Sequence, residues 1–119
     1  MADPLLILVV EDDYQIRILI ARHLEEQGYR LALANDATVG ATILRAVHPS
    51  LLIADVGLRG GNGDDLAKLA RAMNIPTLLI SGHPLAIEQH EGGTVPFLHK
   101  PFRLSELVQK VEELLGKLP

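Results

Sequence analysis

The chain has no cysteine and no tryptophan, and only two phenylalanines and two tyrosines. Without cysteine there are no disulfides, thiolate zinc sites, iron–sulfur clusters or cysteine nucleophiles. Basic charge is also short: 11 Lys and Arg stand against 15 Asp and Glu, for a net charge of −4. Nucleic-acid binders usually carry a basic excess and aromatic stacking platforms. Both are missing, so no nucleic-acid partner is expected. The longest apolar run, Leu5 to Val10, is far too short to span a bilayer, and no membrane association is expected. Met1-Ala2-Asp3-Pro4 lacks the basic start of a secretory signal, so a cytoplasmic location is expected.

What remains is ordinary globular material, 48% hydrophobic and 22% charged over 119 residues. That is enough for one domain with a real core and excludes bulk disorder. The expected domain is 1–119, with a core of about 4–116. No linker, low-complexity segment or sequence repeat interrupts it.

Short apolar blocks alternate with helical spacing. Leu5 to Val10 reads as a strand buried on both faces. Ile16, Leu19, Ile20 and Leu24 predict a helix from Tyr14 to Gln27, closed by Gly28. Arg30 to Ala34 is a second strand. Asp36 caps a helix to Val47, with Val39, Ile43, Leu44 and Val47 on one face. Leu51 to Ala54 is a third strand, ending at Asp55. A loop with Gly57, Gly60, Gly61 and Gly63 leads into a helix from Asp64 to Met73. Thr77 to Ile80 forms the fourth strand, ending at Ser81-Gly82. A short helix is expected around Leu85 to His90. Val95 to Leu98 forms the fifth strand, with Pro96 marking an edge. Arg103 to Gly116 forms the last helix. Five alternating strand–helix units predict an α/β domain with a five-stranded parallel sheet, helices on both faces and strand order 2-1-3-4-5.

In such sheets ligands bind beyond the carboxyl ends of the strands. Glu11-Asp12-Asp13 follow strand 1, Asp55 follows strand 3, Ser81 follows strand 4 and Lys100 follows strand 5. The sheet therefore gathers several carboxylates against one hydroxyl and one ammonium. Clustered carboxylates need a counter-charge, which magnesium supplies through oxygen ligands. An aspartate can attack phosphorus, and phosphoryl transfer needs mostly positioning and charge neutralisation. The set fits metal-assisted phosphorylation of an aspartate. Each residue also has a plain reading: Glu11-Asp12-Asp13 as the acidic start of a helix, Asp55 as a helix or turn cap, Ser81 as a turn residue, Lys100 as a solvated lysine, and the five histidines as surface or loop residues.

At Leu8-Val9-Val10-Glu11-Asp12-Asp13, Asp55, Gly63, Ile80-Ser81-Gly82 and Lys100-Pro101-Phe102 the chain resembles the receiver domains of bacterial two-component response regulators. The resemblance covers essentially the whole chain and implies a single doubly wound, flavodoxin-like domain. It implies Asp55 as phosphoacceptor. It implies magnesium held by Asp12 directly, by Glu11 largely through water, by Asp55 and by the Gly57 carbonyl. Lys100 and Ser81 would bind the phosphoryl group. Ser81 and Phe97 would relay the change, and His83 would modulate hydrolysis. Pro101 would follow a cis bond. The implied partner is a histidine kinase or histidine phosphotransfer protein, and the output is altered protein binding rather than enzyme catalysis. The chain departs from the family at Arg59, where proline is common, and between Ser81 and Lys100, which is short. Three rivals stand beside this reading. A degenerate, phosphorylation-independent adaptor is one. A ligand-binding flavodoxin-like domain is disfavoured by the three acids after strand 1. A phosphatase or dehalogenase with an aspartate nucleophile wants a second acid where Gly57 stands.

Overall fold

A computed structural model describes residues 4–116. Met1 to Asp3, read above for a leader, and residues 117–119 of the expected domain lie outside them. The strands are β1 (Leu6–Val10), β2 (Arg30–Ala34), β3 (Leu51–Asp55), β4 (Thr77–Ser81) and β5 (Phe97–His99). The helices are α1 (Tyr14–Glu26), α2 (Ala37–Val47), α3 (Gly63–Ala72), α4 (Pro84–His90) and α5 (Leu104–Leu114). The sheet runs β2-β1-β3-β4-β5 with every pair parallel, as the alternation predicts.

The continuous apolar blocks become the central strands because side chains alternate between two covered faces. Leu8, Val10, Leu52, Ala54 and Leu79 point to one face, against Leu44, Leu66 and Ala70 of α2 and α3. Ile7, Val9, Ile53, Leu78 and Ile80 point to the other, against Ile20, Leu24, Leu107 and Val111 of α1 and α5. Burying each such aliphatic side chain contributes about 1.5–3 kcal/mol. Local chemistry sets the helix ends. Asp13 accepts from the Ile16 N–H at 3.1 Å, and Asp36 accepts from the Val39 N–H at 2.8 Å. After α1 the chain turns away through Gly28 at φ +95°.

Three sequence expectations need correction. Leu5 lies outside β1 and is 37% exposed. Val39 and Val47 face outward from α2, at 42% and 48% exposure. Gly40 faces inward instead, where an added Cβ would meet a Val10 methyl at 2.9 Å. The helix lies too close to β1 for a bulky side chain, and its valines turn away. Finally, Val95 and Pro96 precede β5 rather than forming it. Proline has no N–H to donate, but its carbonyl accepts from the Leu79 N–H at 3.0 Å and leads into the edge strand.

Candidate functional site

The carboxyl ends of the strands bring the predicted residues together. The Glu11 N–H donates to the Ala34 carbonyl at 3.1 Å, which holds the first residue after β1 against the end of β2. Asp55 ends β3 and pairs in register with Ile80 of β4. The Lys100 N–H donates to the Ser81 carbonyl at 2.8 Å, placing the lysine beside the end of β4. From there its ammonium donates to Glu11 Oε1 and Asp55 Oδ2, both at 2.5 Å. The Lys100–Pro101 bond is cis, as the resemblance implied.

Glu11 is fully buried and Asp55 nearly so, whereas Asp12 is partly exposed. Adjacent residues face different surroundings because Glu11 continues the alternation of β1 and Asp12 turns out toward the loops. Burial pushes the Glu11 carboxyl up to about 7, against the bond and charge of Lys100, with the neighbouring Asp55 charge adding to the rise. Burial also pulls on Lys100, but its bonds to Asp55 and Glu11 outweigh that and raise its proton affinity above the usual lysine value. The remaining Asp55 oxygen, Oδ1, accepts from the Gly57 N–H at 2.9 Å.

Glu11, Asp12 and Asp55 each offer one oxygen within 4.8 Å of the others. With Lys100 bonded to two of them and the exposed Arg59 3.8 Å from the third, the three carboxylates when ionised still outnumber the cations beside them among the described residues. An all-oxygen donor set with negative charge in excess fits a hard divalent cation, which favours carboxylates and keeps several waters.

The switch candidates lie nearby. Ser81 is buried, and its Oγ accepts from the His83 N–H at 3.1 Å. The His83 ring is turned to a structural use, because its Nδ1 accepts from the Leu85 N–H at 3.2 Å and caps α4. Phe97 is half-buried on β5, with its ring stacked on His90 at 5.4 Å. Three contacts escaped sequence reasoning. Arg17 donates to the Glu11 carbonyl at 2.8 Å, one helical turn into α1. The Arg59 Nε lies 3.8 Å from Asp12 Oδ2, bringing a cation to the rim of the acidic cluster. His90 corrects the expectation that the histidines are surface or loop residues: its side chain is 14% exposed and bonded to Asp64. No local pattern marked these pairs.

A family model described as the response regulator receiver domain matches residues 7–112. The chain is 33% identical over 119 residues to the nitrogen assimilation regulatory protein NtrX of Azorhizobium caulinodans, an alignment covering 94% of this chain and 26% of NtrX. Among solved structures it is similar to the receiver domain of the hybrid histidine kinase CckA. There the identity is 34% and the TM-score 0.77, with 92% of this chain and 98% of that one covered. It is also similar to a response regulator from Chloroflexus aurantiacus, at 28% identity and TM-score 0.85, with 95% and 98% covered. The chain spans between about a quarter and about half the length of the curated relatives it matches.

Proposed function

The chain belongs to the response regulator receiver domains, and from that premise we propose that Asp55 accepts a phosphoryl group from a phosphohistidine on a histidine kinase or phosphotransfer protein. The observation that carries the proposal is the Lys100 ammonium bonded at once to Glu11 and Asp55, at the rim where three strands end.

In the reaction an Asp55 carboxylate oxygen attacks phosphorus. The phosphorus–nitrogen bond of the donor breaks, its imidazole leaves with the bonding pair and takes up a proton, and an acyl phosphate remains on Asp55. Lys100 holds the carboxylate in place and offers its ammonium to the incoming phosphoryl oxygens. The Gly57 N–H steers one carboxylate oxygen and leaves the other edge to the lysine. Asp12, Asp55 and the Gly57 carbonyl are the groups we assign to magnesium, with Glu11 acting from behind through water. Its complete burial and direct bond to Lys100 support that secondary role. Bound magnesium supplies neutralisation of the phosphoryl oxygens. Ser81 and Phe97 then report the added charge toward α4 and β5, and the change is read as altered protein binding. His83 is assigned only a modulating part.

One further observation supports the partner assignment. An apolar groove of about 340 Å³ adjoins Lys100, lined by Ile16, Leu19, Pro101, Phe102 and Leu104. It gives a protein donor a surface to dock on within reach of Asp55. No helix among the described residues is long and apolar enough to cross a membrane. We assign the whole 1–119 chain to one receiver unit acting in the cytoplasm, a signalling phosphoacceptor rather than an enzyme. Curated relatives include DNA-binding regulators by name. The acidic balance of this chain supports a protein rather than a nucleic acid as its own target.

The test is incubation with magnesium and a small-molecule phosphodonor, followed by intact-mass measurement. One added phosphoryl group is expected, and none on Asp55→Asn. Equal labelling of the variant overturns the assignment of Asp55.

A further inference from the structure

His90 closes the last turn of α4. Its two ring nitrogens are both engaged. Nε2 lies 2.6 Å from Asp64 Oδ1, and Nδ1 lies 2.7 Å from the Ala86 carbonyl oxygen. A neutral imidazole has one N–H and one lone pair. A backbone carbonyl can only accept, and so can an ionised carboxylate. Asp64 stands in the first turn of α3, a favourable place for an acidic side chain. Two acceptors therefore face two ring nitrogens, and both bonds form only when the ring carries both protons.

The same ring covers Phe97 with centroids 5.4 Å apart and planes 20° from parallel, a favourable place for a delocalised cation. Three elements meet on it: α3 through Asp64, α4 through the Ala86 carbonyl and β5 through the uncharged Phe97. Among the described residues, Asp64 is the one charged group bonded to the ring, and Glu88 and Glu91 of the same stretch of chain are not. The Asp64 bond is also the main reason the ring holds its proton more tightly than an ordinary histidine, with burial opposing and the Ala86 carbonyl assisting.

We propose that His90 is a positioning residue for Phe97: its imidazolium clasps the end of α4 to the start of α3 and holds the aromatic ring at the sheet edge, so that losing one proton loosens helix and ring together. The clasp makes the surface formed by α4 and β5 responsive to protons as well as to events at Asp55. Its meaning for signalling rests on the receiver reading of Ser81 and Phe97, whereas the clasp itself does not.

The experiment is an NMR titration of the full chain without magnesium or phosphodonor, so it is indifferent to whether Asp55 is ever phosphorylated. It follows the His90 ring nitrogens and the Phe97 ring protons. The His90 midpoint is expected above the ordinary 6.5. The Phe97 resonances should move with that same midpoint, and α4 amide protection factors, which remove the intrinsic pH dependence of exchange, should fall severalfold above it. In Asp64→Asn, which keeps the shape of the side chain, the midpoint should fall back toward 6.5 and the Phe97 resonances should shift at low pH as well. A His90 midpoint at or below 6.5 in the natural chain overturns the proposal. So do Phe97 resonances that ignore both the titration and the substitution.

Discussion

Gly63 offers a test in which local propensity and tertiary contact predict opposite signs. It is the first residue of α3, its φ lies outside the left-handed region, and Asn62 caps the helix by accepting from the Asp65 N–H at 2.8 Å. By helix propensity alone, Gly63→Ala should stabilise the chain by about 0.5–1 kcal/mol. The packing says otherwise. A methyl group there would lie 2.9 Å from both the Asp55 carbonyl carbon and the Val56 Cα, and closer still to the Asp55 carbonyl oxygen. These are backbone atoms of a buried strand end, and the Gly63 N–H already donates to the Val56 carbonyl at 3.0 Å. Helix and strand must separate, and overpacking of this kind costs about 1–3 kcal/mol or more. The net expectation is a loss of about 1–2 kcal/mol, read as a urea midpoint lower by roughly 0.5–1 M at unchanged slope. Because the displaced atoms belong to Asp55, labelling by a phosphodonor should slow as well. Gly57→Ala is the control: its added Cβ would find only Asp55 Oδ1, at 3.8 Å, and stability should stay within about 0.5 kcal/mol. A Gly63→Ala midpoint equal to or above that of the natural chain refutes the close approach.

Glu11 predicts how metal-free stability varies with pH. Its folded carboxyl titrates near 7 rather than 4.5, so the folded chain binds the extra proton between those values. That contribution is complete below about 4.5 and disappears as pH rises through 7, amounting to no more than about 3 kcal/mol. Denaturation midpoints should fall between pH 5 and 7.5, and the fall should be smaller in Glu11→Gln; equal slopes contradict the assignment. Arg59 sits 3.8 Å from Asp12 but is 79% exposed, so the pair is worth under about 1 kcal/mol. Arg59→Ala should therefore bind magnesium more tightly, by no more than about fivefold, with the difference shrinking in high salt. Weaker calorimetric binding by the variant is the contrary result.

The sequence alone determined the succession of elements, because a buried strand and a one-sided helix print their periods on consecutive residues. The acid pair after β1, Asp55 after β3 and Lys100 after β5 were legible for the same reason: in a parallel sheet every strand ends at the same rim. Period says which residues turn inward only when the neighbour leaves room, and Val39 and Val47 point outward because α2 presses on β1 at Gly40. Tertiary structure decided the rest. It separated Glu11, sealed and bonded to Lys100, from the half-open Asp12 beside it. It joined Asp64 to His90 across 26 residues, and Lys100 to Asp55 and Glu11 across 45 and 89. Such pairings leave no trace in local spacing, since they arise where separate elements pack and a buried charge must find its counterpart.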